Sequence, residues 1–312
     1  MKKHTATFCA LVAVVVLLAA YQTVGRQSGL PAKIRIATGG ESGVYHAYGD
    51  ALAEALERRM NAAVTAIPSG GSVDNVRLLR NGRAELAFVQ NDIMTYAYNG
   101  TNLFSTEGAF KDFSAVAALY PETCQIVARR GVNGVTGLKG RRVSVGDEGS
   151  GTELNALQIL EAHGMSYSDM EVDHLSFAAS VAAFREGRID AFFCTAGVPT
   201  PAIRELAAGG EARILSVGDA HARSLISQYP YYSQQTIPAG AYPKIDEKAE
   251  TVAVKAVLVA DGKLSKEVVA EIIKILFSEE AVFPGGKVNR EFAAEGLPIP
   301  LHPAAEAFFR KN

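Results

Sequence analysis

Short apolar runs alternate along this chain with longer stretches whose apolar residues recur three and four positions apart. Residues 33–37 alternate polar and apolar and predict a short strand, while 44–60 carry Ala and Leu at helical spacing, with Glu54, Glu57, Arg58 and Arg59 on the wet face. A strand over 64–67 follows, then a short helix over 73–81 stopped by Gly82. Residues 86–89 form an uninterrupted apolar run suited to a buried parallel strand. The same order returns further on: a strand over 142–145, a helix over 152–163 closed by Gly164, a helix over 176–185, and a strand over 191–195. Residues 214–217 add a strand, 251–259 alternate strongly, and 266–277 predict a last long helix. Strands alternating with helices predict an α/β fold with mainly parallel sheets.

The recurrence is literal at several points. Ser42-Gly43 opens one helical pattern and Ser150-Gly151 another, 108 positions later; Ser72-Val73 recurs as Ser180-Val181 at the same distance. The stretch from Arg80 to Val89 returns as Arg185 to Cys194, now 105 positions apart. Solenoid units run about 20 to 50 residues, so this period predicts two similar lobes whose helix N-termini face one crevice. Tyr120-Pro121-Glu122-Thr123 lies between apolar runs at 115–119 and 125–128 and predicts the first crossing between lobes; 251–259 predicts the return. The expected division is 31–122 with 254–312 as lobe one and 123–253 as lobe two, with 1–30 apart from both.

That leading segment has its own chemistry. Lys2 and Lys3 precede an apolar run over 8–20, which fits a secretory signal peptide or an N-terminal anchor. It is shorter than the roughly 20 apolar residues of a spanning helix. The expected location is therefore the periplasm. A net charge of −2 over 312 residues argues against a broad basic nucleic-acid surface. Cys124 and Cys194 sit inside apolar, strand-like runs and read as buried lone thiols; no Cys or His spacing suggests a metal, and no cofactor motif is present. Gly146 to Gly151 is not followed by the Lys-Ser/Thr of a phosphate loop, and Gly149-Ser150-Gly151 lacks the leading Gly of a nucleophile elbow. A binding protein is expected rather than an enzyme.

Candidate binding residues cluster where strands end and helices begin. Ser42-Gly43 and Ser150-Gly151-Thr152 offer free backbone N–H groups, hydroxyls and a helix dipole to an anion; the same hydroxyls equally suit ordinary helix caps. Gln90-Asn91 and Thr195 follow equivalent strands and put neutral hydrogen-bonding groups at the same crevice, where α/β sheets bind ligands. Tyr45 is placed to cover a ligand. Glu41, Asp147 and Glu148 either favour the helix dipoles or, if they reach the cleft, repel a polyanion and receive an ammonium group.

These loops carry a resemblance. Ala37-Thr-Gly-Gly-Glu-Ser-Gly-Val-Tyr45, Gly70-Gly-Ser-Val-Asp-Asn-Val-Arg-Leu-Leu79, Phe88-Val-Gln-Asn-Asp92 and Tyr96-Ala-Tyr-Asn-Gly100 together resemble the TAXI family, the TRAP-associated extracytoplasmic immunogenic solute receptors. Leu119-Tyr-Pro-Glu122, Gly149-Ser-Gly-Thr152, Gly197-Val-Pro-Thr200, Ile237-Pro-Ala-Gly240 and Leu301-His-Pro303 agree, so the resemblance runs from about Lys33 to the C-terminus. It implies a two-lobed periplasmic binding protein of the type II fold, working as a monomer with TRAP membrane subunits driven by an ion gradient. The implied solute is a small carboxylate or amino acid such as glutamate, glutamine or 2-oxoglutarate. Carried over motif by motif, the implied ligand-binding residues are Ser42, Gly43, Tyr45, Gln90, Asn91, Ser150, Gly151, Thr152 and Thr195. Glu41 departs from the small or neutral residue expected there and counts against a dianionic ligand. The rival readings are a receptor for another transporter or sensor and an exported hydrolase.

Overall fold

The computed structural model describes residues 33–310 apart from 280, 281 and 285. The expected signal peptide or anchor over 1–30 lies outside the described residues. Strand β1 (Lys33–Ala37) leads into helix α1 (Val44–Met60), strand β2 (Ala63–Ile67), helix α2 (Ser72–Arg80) and strand β3 (Leu86–Gln90), with β1 parallel to both β2 and β3. The pattern repeats as β5 (Arg142–Ser144), α4 (Gly151–Ala162), β6 (Glu171–Asp173), α5 (Phe177–Arg185) and β7 (Ala191–Ala196), with β5 parallel to β6 and β7. Each unit carries the same clamp. The Arg35 guanidinium forks onto Glu85 ahead of β3, at 2.6 and 3.1 Å; Arg142 forks onto Asp190 ahead of β7, at 2.8 and 3.1 Å.

Between the units run two long strands, β4 (Phe113–Arg129) and β10 (Ala249–Asp261). They pair with each other antiparallel, from Phe113 opposite Asp261 to Thr123 opposite Ala253. Beyond that point they part company: β4 continues against β7 and β8 (Ala212–Leu215), and β10 against β9 (Ser233–Ile237). The spatial order is β2-β1-β3-β10-β4-β7-β5-β6, one ten-stranded sheet.

This is the α/β architecture expected, with one difference. The sheet is mixed rather than mainly parallel, because β4 and β10 run through both units and close the middle with antiparallel ladders. Nor does Tyr120-Pro121 interrupt β4. Pro121, which lacks an N–H, stays in register opposite Lys255, and the ladder shifts register further along, at Leu119 and Val116.

The helices cover both faces of the sheet. On one face of the first unit, Leu52 and Leu56 of α1 pack with Val268, Ile272 and Ile273 of helix α8 (Lys266–Leu276) against β1, β3 and β10. On the other, Val73, Val76 and Leu79 of α2 meet Ile93 and Met94 of helix α3 (Asn91–Asn99). Full burial of each Leu or Ile contributes about 1.5–3 kcal/mol, so the apolar stripes of α1 and α8 go far to hold this layer. Helices α6 (Pro201–Ala207) and α7 (Asp219–Gln228) pack on the second unit, and α9 (Arg290–Ala294) and α10 (Pro303–Arg310) end the chain. Among the described residues no helix is long and apolar enough to cross a membrane.

Gly49 in mid-α1 lets the helix lie close on the sheet. A Cβ there would stand 2.4 Å from Thr38 Cγ2 and 3.4 Å from the Phe88 ring. Thr38 cannot swing aside freely, since its hydroxyl donates to the Ile67 carbonyl at 2.9 Å. Gly49→Ala gains about 1 kcal/mol of helix propensity and loses about 1–3 kcal/mol to overpacking. The expected outcome is net destabilisation, read as a thermal midpoint about 2–4 °C lower per kcal/mol; a raised midpoint would disprove the close approach.

Candidate functional site

The ends of β1, β3, β5 and β7 all point into one cleft of about 580 Å³, its open mouth included. Four helix N-termini converge there: Gly43-Val44 of α1, Gly71-Ser72 of α2, Ser150 to Thr152 of α4, and Ser176-Phe177 of α5. A fifth, that of α3, is capped by the cleft residue Gln90. Each such terminus presents N–H groups without intrahelical partners and a partial positive charge. No Lys, Arg or His lines the cleft among the described residues. The donors available to an anion here are backbone N–H groups, hydroxyls and the Gln90 amide.

The structure brings eight of the nine sequence-predicted residues to this cleft: Ser42, Gly43 and Tyr45 from one unit with Gln90, and Ser150, Gly151, Thr152 and Thr195 from the other. Tyr45 is buried, stacks on Phe88 with ring centroids 5.3 Å apart, and donates its hydroxyl to Glu122 Oε2 at 2.6 Å. Ser150 caps α4, accepting from the Glu153 N–H at 3.1 Å, as Ser176 caps α5; each hydroxyl keeps its proton for a further partner. Thr152 Oγ1 accepts from the Thr195 N–H at 3.3 Å, which ties α4 to β7. The Thr195 hydroxyl itself donates to Cys124 Sγ at 3.6 Å. Cys124 and Cys194 are free and buried, and burial pushes the Cys124 thiol up to about 12.

Asn91 is the correction. It does not line the cleft: its Oδ1 accepts from the Lys255 N–H at 2.9 Å and its Nδ2 donates to the Tyr231 carbonyl at 3.2 Å. The reason is geometric. β3 passes straight into α3 with no intervening loop, so Gln90, the last strand residue, faces the cleft and its neighbour turns away.

Ser72 and Glu122 join the cleft beside the expected residues. Ser72 accepts from the Gln90 N–H at 3.1 Å and sits 3.5 Å from the Tyr45 hydroxyl. Glu122 reaches the cleft from the middle of β4, only 3% exposed. Its signal in the sequence is an acid inside an otherwise apolar strand. Of the three loop acids, only Asp147 lines the cleft; Glu41 and Glu148 are exposed and do not.

Burial dominates the electrostatics. Desolvation raises the Glu122 carboxyl to about 8, against the stabilising hydrogen bond from Tyr45, and the nearby Asp92 charge adds to the rise. Asp147 is raised too, by desolvation and then by Asp74. Asp92, fully buried behind the cleft, is raised to about 6 by desolvation although Asn155 Nδ2 donates to it at 2.9 Å.

The architecture is that of the type II periplasmic binding proteins, two repeated α/β units joined by crossing strands with a cleft between them. PhnD1 from Prochlorococcus marinus (MIT 9301), solved in complex with methylphosphonate, matches with a TM-score of 0.56 at 13% identity over 80% of this chain and 85% of its own. A protein from Bordetella bronchiseptica RB50 matches at 0.54, with 17% identity over 79% and 71%. The alkanesulfonate-binding protein SsuA from Xanthomonas axonopodis pv. citri, bound to MOPS, matches at 0.51, with 18% identity over 80% and 75%. At these identities the likeness is one of fold. Within that class the particular assignment comes from the sequence: residues 36–312 match the NMT1-like family, and the chain belongs to it.

Two expectations follow from this geometry. A Cβ on Gly151 would stand 1.7 Å from Gln90 Oε1 and 2.5 Å from its Cδ. Gly151→Ala therefore displaces a flexible amide rather than backbone. Folding stability should change by less than about 1 kcal/mol, while affinity for the cleft ligand should fall about ten-fold or more, the worth of one charge-assisted hydrogen bond. Calorimetric titration beside thermal unfolding separates the two. For pH, the folded protein holds the Glu122 proton above 4.5, where the unfolded chain loses it, up to about 8. This group's contribution to stability is thus greatest at the acid end of that window and declines as pH rises through it. Glu122→Gln removes the titration, so the midpoint of the variant minus that of the wild type should grow from pH 4.5 to about 8; a constant difference would show that Glu122 does not titrate there.

Proposed function

We propose that this protein is an extracytoplasmic solute receptor that captures a small carboxylate, of the glutamate, glutamine or 2-oxoglutarate kind, and presents it to a TRAP-type, ion-driven permease. The observation that carries the reading is the cleft itself: helix N-termini and hydroxyls from both repeated units face one space that, among the described residues, no cationic side chain lines. Such donors suit a carboxylate at low desolvation cost. Ser150 is committed as a helix cap and no His lines the cleft to activate it, which favours binding over hydrolysis. Export rests on Lys2, Lys3 and the apolar run behind them. TRAP coupling rests on the TAXI-like motifs, and a monomeric receptor is expected with them.

In this reading the lobes are 31–122 with 254–312, and 123–253. They close about β4 and β10, near Thr123 and Ala253, where both strands exchange partners. A solute touching both lobes favours the closed state by its differential affinity for it.

The fold neighbours supply a second reading, since methylphosphonate and a sulfonate bind in two of them. Tetrahedral oxyanions suit the same N–H groups, but the half-buried Asp147 disfavours a doubly charged head group. Thermal unfolding against glutamate, glutamine, 2-oxoglutarate, methylphosphonate and an alkanesulfonate decides. A carboxylate at one hundred times its Kd should add about 2.7 kcal/mol to stability. Shifts confined to the phosphonate or the sulfonate would replace the carboxylate reading.

A further inference from the structure

We propose that Glu122 is the specificity-determining residue of the cleft: it receives the ammonium group of an α-amino acid and so separates amino acids from the corresponding 2-oxo acids. The inference rests on the carboxylate reading above and goes beyond it by naming the group that chooses between two of its candidate solutes.

The cleft has two chemical faces. Donors come from the N-termini of α1, α4 and α5 and from their hydroxyls. Acceptors come from the strand side. Glu122 Oε2 takes the Tyr45 hydroxyl, and among the described residues nothing donates to its Oε1. Gln90 is likewise 3% exposed, and its Oε1 is buried without a hydrogen-bond partner. The two belong to one chain of contacts, from the Gln90 N–H to Ser72 Oγ, from Ser72 to the Tyr45 hydroxyl, and from Tyr45 to Glu122. Asp147 lines the same cleft from the loop before α4.

The groups around Glu122 are all neutral or acidic: Tyr45 from α1, Tyr120 and Cys124 on its own strand, Asp92 from the start of α3, Cys194 on β7. A buried carboxylate without a cation is costly, and the described residues supply none. An ammonium group brings the missing charge and three N–H donors, for Glu122 Oε1, Gln90 Oε1 and Asp147. A 2-oxo acid sets a carbonyl oxygen in the same place, where it meets the acceptors of Gln90 and Asp147 and is tolerated by Glu122 only while that carboxyl keeps its proton. Sites built to hydrogen-bond a donor reject an analogue lacking it by up to about 10⁴–10⁵; partial solvent access here lowers that to about a hundred-fold.

Proton balance gives a second readout. Glu122 carries its proton in the free cleft up to a pH of about 8. Docking an ammonium beside it favours the carboxylate, so binding releases that proton to solvent and affinity rises with pH toward about 8. A solute with an acceptor there needs the proton retained, and its affinity falls above that pH.

The test is isothermal titration of wild-type protein and Glu122→Gln with glutamate, glutamine and 2-oxoglutarate, at neutral pH in buffers of different ionisation enthalpy. Wild type should prefer the amino acids by about a hundred-fold and release protons on binding them. Glu122→Gln keeps an acceptor for Tyr45. It should lose about ten- to a hundred-fold in amino-acid affinity, the effect of one charge-assisted contact, keep or improve 2-oxoglutarate affinity, and release no proton. An unchanged preference in the variant, or no proton release by wild type, overturns the assignment while leaving a carboxylate receptor standing. Wild type that binds none of the three overturns both. Should the variant fail to fold, the wild-type proton count decides alone.

Discussion

The pairing of β4 with β10 is the constraint on which the rest of the molecule depends. Each strand packs into both repeated units, and among the described residues the sheet passes from one set of parallel strands to the other through their shared ladder, from Phe113–Asp261 to Thr123–Ala253. Every cleft residue is referred to this ladder. Gln90 ends the strand beside β10, Thr195 lies on the strand beside β4, and Glu122 sits on β4 itself, opposite Val254. A shift of one residue would turn Glu122 to the other face of the sheet.

Behind the cleft a polar cluster joins the two units a second time. Asn155 of α4 donates to Asp92 of α3 and to the Tyr232 hydroxyl at 2.8 Å; Tyr232 donates to Gln158 at 2.6 Å; Gln158 donates to the Tyr231 hydroxyl, itself 2.6 Å from that of Tyr96. Asn91, which the motif pattern placed with the ligand set, belongs to this cluster instead. Buried polar groups demand partners, and here the partners come from both sides of the crossing. The cluster therefore orients α3 and α4, whose N-termini begin at the cleft.

The cleft balances opposed fields. Helix termini make it attractive to an anion, while Asp147, and Glu122 once it gives up its proton, make it repel one. Among the described residues no basic side chain neutralises either carboxyl, and burial holds the Glu122 proton instead. A space with both characters is matched by a solute carrying charge of both signs, which is why the acid on β4 bears more on solute choice than the more conspicuous hydroxyls on the loops.

What the sequence by itself determined was the local and the repeated. Strand and helix periods, the glycine stops and the recurrence of Ser-Gly at helix starts mark out two α/β units and eight of the residues that meet at the cleft, because backbone preference and amphipathic spacing act over a few residues and leave their mark in order. The Arg35–Glu85 and Arg142–Asp190 clamps show how closely the second unit follows the first. Long-range pairing decided the remainder. That the sheet is mixed, that β4 runs unbroken through Pro121, that Asn91 turns to Lys255 and Tyr231, and that Glu122 ends beside Tyr45 all depend on residues far apart in the chain. No local period encodes which strand lies next to which or which side chain a buried acid will find; those follow from how the two units pack across β4 and β10.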